Sequence, residues 1–86
     1  MEGDPPRFTR VGGPEEEFGA ADPVPILLGE DRHRVGRVSV RLFRPVGDPP
    51  EVTIVFVVEG REVAAAFLSP GEATSLAWAL WRASSP

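Results

Sequence analysis

Leu68-Ser69-Pro70-Gly71-Glu72-Ala73-Thr74-Ser75-Leu76-Ala77-Trp78-Ala79-Leu80-Trp81-Arg82 carries the strongest structural instruction in the chain. Ser69 has the side chain of an N-cap, able to accept from a backbone N–H left without a partner in the first helical turn. Pro70 suits the first helical position, where a missing N–H costs nothing. Glu72, three residues after Ser69, completes a capping box and lies near the positive end of the helix dipole. Leu68 and Ala73 can add a small hydrophobic staple. These signals predict a helix from Pro70 to near Arg82. Ala73, Leu76, Ala77 and Leu80 then follow the i, i+3, i+4, i+7 spacing of a docked stripe. Trp81 flanks the stripe and Trp78 lies further round the same side, with Ser75 and Arg82 opposite.

Working back from the helix, Val63 to Leu68 reads as a strand, and Glu59-Gly60-Arg61 as the tight turn before it. Val52 to Glu59 is rich in β-branched residues and forms the preceding strand. In either two-residue turn register, Val52, Ile54, Phe56 and Val58 share one face with Val63, Ala65 and Phe67, the expected floor for the helix. Phe56 and Phe67 would then face Ala73 and Ala77, large side chains against small. The opposite face would carry Val55, Val57, Ala64, Ala66 and Leu68. That face is too apolar to be left in water, and either Val24–Leu28 or a second subunit is expected to cover it. Pro45-Val46-Gly47-Asp48-Pro49-Pro50 is a loop. Before it, Val35 to Arg44 alternates, with Val38, Val40 and Leu42 on one side and Arg37, Ser39, Arg41 and Phe43 on the other.

Residues 1–23 hold four prolines, the pair Gly12-Gly13 and the run Glu15-Glu16-Glu17, with few large apolar side chains. That composition predicts a disordered or extended acidic arm. Val24-Pro25-Ile26-Leu27-Leu28 is apolar but carries a proline, which suits an edge strand or a segment laid across a surface. Residues 24–86 are therefore expected to form a single small α+β domain: an antiparallel β-meander of three strands, or four where an edge strand joins it, packed against one C-terminal helix. Such a domain is marginal in size, and the 86-residue chain has no cysteine to staple it. Self-association or a partner would add stability.

All nine basic residues are arginine. With Ala, Gly, Pro and Val also abundant, this reads as the coding bias of a GC-rich bacterial genome rather than as phosphate recognition. The start lacks the basic and apolar regions of a secretory leader, and the apolar runs fall far short of the roughly 20 residues that span a bilayer. A cytoplasmic protein with no membrane segment is expected.

The net charge of −4 is unevenly spread: residues 1–31 carry −6, residues 32–44 carry +5, and residues 45–86 carry −3. Arg37 and Arg41 share one face of their strand and could bind a polyanion, with Phe43 as a stacking group. The net negative charge argues against a nucleic-acid domain. A solvated face neutralised by Glu51, Glu59 and Glu62 explains the same residues. A third arrangement has Glu15–Glu17 folding back onto Arg37 and Arg41.

The chain holds few groups suited to chemistry. Its one histidine, His33, sits between Arg32 and Arg34. Without cysteine or a second histidine, the usual zinc ligands cannot be assembled. The triple glutamate lacks the spacing of a calcium loop. Ser69 is used as a cap, Ser39 shares a strand with His33, and no nucleophile elbow or phosphate-binding glycine loop occurs. No enzymatic activity, cofactor or metal is expected.

The segment from Leu68 to Ala73, followed by Leu76-Ala77, resembles the ending of many small proteins from GC-rich bacteria, a likeness that implies no activity. The β-β-β-α order is similar to the latter part of a double-stranded-RNA-binding domain. The lysine-rich start of that family's last helix is replaced here by Ser69-Pro70-Gly71-Glu72. The expected function is protein interaction or self-association as a homodimer, through Trp78 and Trp81 on the helix and through Val55, Val57 and Ala66 on the sheet. The alternative is polyanion binding through Arg37, Arg41 and Phe43.

Overall fold

Alternation, turns and a capped C-terminal stretch produce five elements in the computed structural model, which describes residues 15–30 and 32–85. They are β1 (Glu15–Leu27), β2 (His33–Phe43), β3 (Glu51–Val58), β4 (Arg61–Leu68) and α1 (Pro70–Ser84). The strands form one antiparallel sheet in the order β1-β2-β3-β4, and α1 packs on it. This is the expected α+β meander with its fourth, edge strand present.

The boundary placed at residue 23 falls inside β1. Residues 15–23 are extended, and Glu15, Glu17, Ala20 and Ala21 pair with Phe43, Arg41, Ser39 and Val38 of β2. Residues 1–14 of the expected arm lie outside the described residues. Two irregularities, after Glu17 and after Ala21, interrupt the β1–β2 ladder. Prolines 23 and 25 are tolerated there because β1 is an edge strand and one of its sides needs no ladder donor.

The β3–β4 turn has positive φ at Glu59 and Gly60, 53° and 77°. Two successive positive values are what a two-residue type I′ turn requires, and that turn matches the twist of the strands. Val58 then pairs with Arg61 and Val57 with Glu62. The next pair is Phe56 with Ala64, because β4 carries one extra residue at Val63.

That bulge reverses the expected face of β4, since a shift of one residue exchanges inward and outward side chains. Val52, Ile54 and Phe56 share a face with Leu68, Ala66 and Ala64, and with Leu42, Val40 and Val38 of β2. Val55 pairs with Ala65, and Thr53 with Phe67, on the opposite face with Ser39 and Arg41. We refer to these as the helix face and the arginine face. The helix accordingly meets Val40, Val52, Ile54 and Leu68 rather than Phe56 and Phe67.

The core has two parts. On the arginine face, Val55, Ser39 and Thr53 are fully buried. Arg41 stands opposite Thr53 and Glu62 opposite Val57, so their 3.1 Å ion pair crosses β3 diagonally above Val55. Towards the far end of the sheet, Ile26 and Val58 are buried on either side of Gly36. A Cβ on Gly36 would lie 2.6 Å from Ile26 Cδ1 and 3.0 Å from Val58 Cγ2, so glycine lets β1 and β3 side chains meet across β2. Val24–Leu27 is thus part of an edge strand and does not form a lid over the sheet.

Candidate functional site

The helix begins as its sequence dictates. The Glu72 backbone N–H donates to Ser69 Oγ at 3.2 Å, and the Ser69 N–H donates to Glu72 Oε1 at 2.8 Å, so both halves of the capping box are made. Arg82 occupies the last turn, where a cation favours the negative end of the dipole.

The stripe Ala73, Leu76, Ala77 and Leu80 faces the sheet across an apolar cleft shared with Val40, Val52, Ile54 and Leu68. Docking is loose: no residue of α1 is buried, and Leu80 remains 62% exposed. Trp78 and Trp81 are 59% and 64% exposed. With Thr74 and Ala77 they line an open, apolar groove along the flank of the helix. No charged residue occurs between Glu72 and Arg82. A helix apolar on more than one side is ordinarily buried on more than one side.

The sheet residues expected to act with the tryptophans do not form one surface. Val55 is fully buried beneath the Arg41–Glu62 pair and is unable to contact a partner. Val57 is half-buried on the same arginine face. Ala66 is exposed, but the bulge at Val63 places it on the helix face. The grouping of Val55, Val57 and Ala66 is therefore corrected: only Ala66 lies on the side where the helix stands.

Sequence reasoning missed a second apolar groove on the helix face. Val24, Ile26, Val38 and Phe56 wall it, with Val63 and Ala64 on β4. The available signal was Val63-Ala64-Ala65-Ala66, whose small side chains leave space beside Phe56. The bulge needed to locate that space is not written in those residues.

The arginine strip is already engaged. Arg37 donates to Glu17 Oε2 and lies 3.6 Å from Asp22 Oδ2. Arg41 contacts Glu62 at 3.1 Å and Glu15 at 3.8 Å, and its Nε donates to Ser39 Oγ at 3.1 Å. Ser39 in turn donates to Glu17 Oε1 at 2.8 Å. Two of the three glutamates of the acidic run thus meet the two arginines, as the fold-back arrangement predicts. The Ser39 hydrogen bond, aided by the charges of Arg37 and Arg41, holds the Glu17 carboxyl below its ordinary value despite an opposing desolvation. Phe43 is only 3% exposed, and strand parity turns it into the arginine-face core, so its expected role as a stacking group is withdrawn.

His33 is exposed at the start of β2, and Ser39 is six residues along the same strand, roughly 20 Å away. Their side chains do not meet. Among the described residues no helix is long and apolar enough to cross a membrane.

No family model, curated protein or solved structure matches this chain.

Proposed function

We propose that this is a small, non-enzymatic, cytoplasmic protein-interaction domain whose contact surface centres on Trp78 and Trp81, serving self-association or the binding of another protein. The observation that carries this reading is the condition of α1. Its central residues are uncharged, none is buried, and its two largest side chains stand more than half in solvent. Exposed tryptophans on a regular element combine a large apolar surface with a rigid position, the usual character of an interface hot spot. Their placement has little to do with starting the helix, because the capping box does that at the other end.

Polyanion binding has less support. Arg37 and Arg41 are held by Glu15, Glu17, Asp22 and Glu62, and a phosphate would have to displace those carboxylates. The deciding experiment compares the intact chain with Trp78→Ala by light scattering and by the set of proteins each captures. Loss of association or of a captured partner is the expected result. An unchanged mass together with an unchanged partner set would remove the reading.

A further inference from the structure

The two halves of β1 are attached to the sheet in different ways. Val24–Leu27 is anchored by Ile26, which is buried and meets Val58 across Gly36. Residues 15–23 bury no apolar side chain: Glu15 is half-buried, the rest are exposed, and Phe18 stands 65% in solvent. Irregularities after Glu17 and after Ala21 break the ladder on both sides of Gly19–Ala21. Much of what holds this half is carboxylate–arginine contact, and the side chains of Arg37 and Glu17 are 39% and 40% exposed. Ion pairs this open to water contribute little and weaken with salt. A segment with few buried apolar contacts opens locally at a small fraction of the cost of unfolding the whole domain.

The same contacts spell out a recognition pattern. By strand alternation Glu15 and Glu17 project onto the arginine face, and Glu16 projects away from it. Glu15 lies 3.8 Å from Arg41, while Glu17 meets Arg37 and accepts from Ser39 Oγ at 2.8 Å. Strand β2 thus presents two guanidiniums, with a hydroxyl between them, to carboxylates two residues apart on a paired strand. The match within the chain is incomplete, because Glu15 Oε2 is buried without a hydrogen-bond partner. A polar atom buried in that way loses its hydration for no bond in return, which favours release of the strand that carries it.

We propose that Arg37, Ser39 and Arg41 form a binding strip for an extended acidic peptide with carboxylates two residues apart, which Glu15–Asp22 of the chain itself occupies as a displaceable plug. The incoming peptide replaces the first half of β1 along β2, while Ile26 keeps the second half in place. Strand addition of this kind takes its affinity from main-chain pairing and its specificity from alternate side chains. A peptide suits the strip better than a phosphate polymer does, because only a peptide restores the main-chain pairing that Ser39 and Val40 lose when Ala20 and Gly19 leave. Once the plug is gone, residues 32–44 carry +5 with no acid among them, a field that draws in an acidic segment. The plug is tethered and so competes at high effective concentration, which keeps the strip closed to dilute ligands.

The probe is a fluorescently labelled synthetic peptide with the sequence of residues 15–22, added to the full chain. Glu15→Gln/Glu17→Gln weakens the plug, so this variant should bind the peptide about tenfold more tightly than the wild type. Replacing the first and third glutamates of the peptide with glutamine should abolish binding, and adding Arg37→Ala to the variant should remove most of it. Peptide binding should speed amide exchange in residues 15–21 and leave residues 24–27 unchanged. In the free wild type, which needs no substitution, residues 15–21 should already exchange faster than residues 24–27. Equal peptide affinity in wild type and variant, binding that survives glutamine in the peptide, or equal protection of the two halves of β1 overturns the proposal. If heparin binds the variant and the peptide does not, the strip takes phosphate- or sulfate-bearing polymers and the peptide site falls.

Discussion

Ser39 Oγ donates to Glu17 Oε1 at 2.8 Å, joining the middle of β2 to an acidic run that composition alone marks as an arm. Because this bond favours the ionised carboxylate, the Glu17 pKa in the folded chain lies below its ordinary value of 4.5. A depressed carboxyl contributes stability above its unfolded pKa and loses it as pH falls through the folded value. Thermal stability should therefore drop as pH is lowered through and below about 4.5, and the Glu17 carboxyl carbon should titrate at the lower end of that fall. Ser39→Ala removes the largest cause and should move the titration back up. A wild-type Glu17 that titrates at its ordinary value would sink this prediction.

Glu15 and Glu17 also determine what the arginine strip can bind. With both changed to glutamine, Arg41 keeps Glu62 and Arg37 keeps Asp22, but each loses a carboxylate and the chain loses two negative charges. The double variant should elute from a heparin column at higher salt than the wild type, which should be weakly retained. Substitution is the sharper tool than deletion of residues 1–23, since deletion would also remove most of β1. Equal elution would show that these carboxylates do not mask the strip.

The parts of the fold legible in the sequence are those set by neighbours along the chain. Ser69, Pro70 and Glu72 act within one turn, so their capping box could be read directly. Strict alternation from Arg37 to Phe43 separated the two faces of β2 correctly. The register of β4 was hidden because Ala64-Ala65-Ala66 offers nearly equivalent residues to either face, and one extra residue at Val63 settles the choice. The strand role of Glu15–Glu17 was hidden for another reason. Three glutamates have poor strand propensity, and what holds Glu17 and Glu15 there is pairing with Arg37 and Arg41, distant along the chain. The exposure of Trp78 followed from its angle on the helix; that of Leu80 did not, because it depends on how closely the helix docks.

Ser69→Ala removes the acceptor for the Glu72 N–H and leaves that donor to water. The cost should be about 1 kcal/mol in a denaturant melt. Ser69→Asp should retain most of the stability, since a carboxylate accepts the same bond and favours the dipole. A Ser69→Ala chain as stable as wild type would mean that Pro70 and helix docking alone hold the start of α1.

Gly36→Ala adds one methyl where three groups already converge: Ile26 Cδ1, Val58 Cγ2 and the Val57 carbonyl oxygen. A backbone carbonyl in the sheet cannot move aside as a side chain can, so overpacking should outweigh any gain in strand propensity. We expect a loss of about 1–3 kcal/mol. Ile26→Val in the same chain should recover part of it by shortening the side chain that crosses β2. Failure of that rescue would place the strain at the Val57 carbonyl instead.

Thr53 presents the opposite case, a site where replacement should stabilise. It is fully buried at the centre of the arginine face, and its Oγ1 has no hydrogen-bond partner. Val55 lies two residues along on the same face, and Arg41 stands opposite Thr53 with its guanidinium committed to Glu62, Glu15 and Ser39. A buried hydroxyl without a partner costs roughly 1–3 kcal/mol in lost hydration. Thr53→Val keeps the branched shape and replaces the hydroxyl with a methyl, so it should raise stability by about 1 kcal/mol. The gain should be seen as a higher denaturant midpoint with an unchanged slope, because the native surface is unaltered. A lower midpoint would show that the Thr53 hydroxyl does useful work in the arginine face.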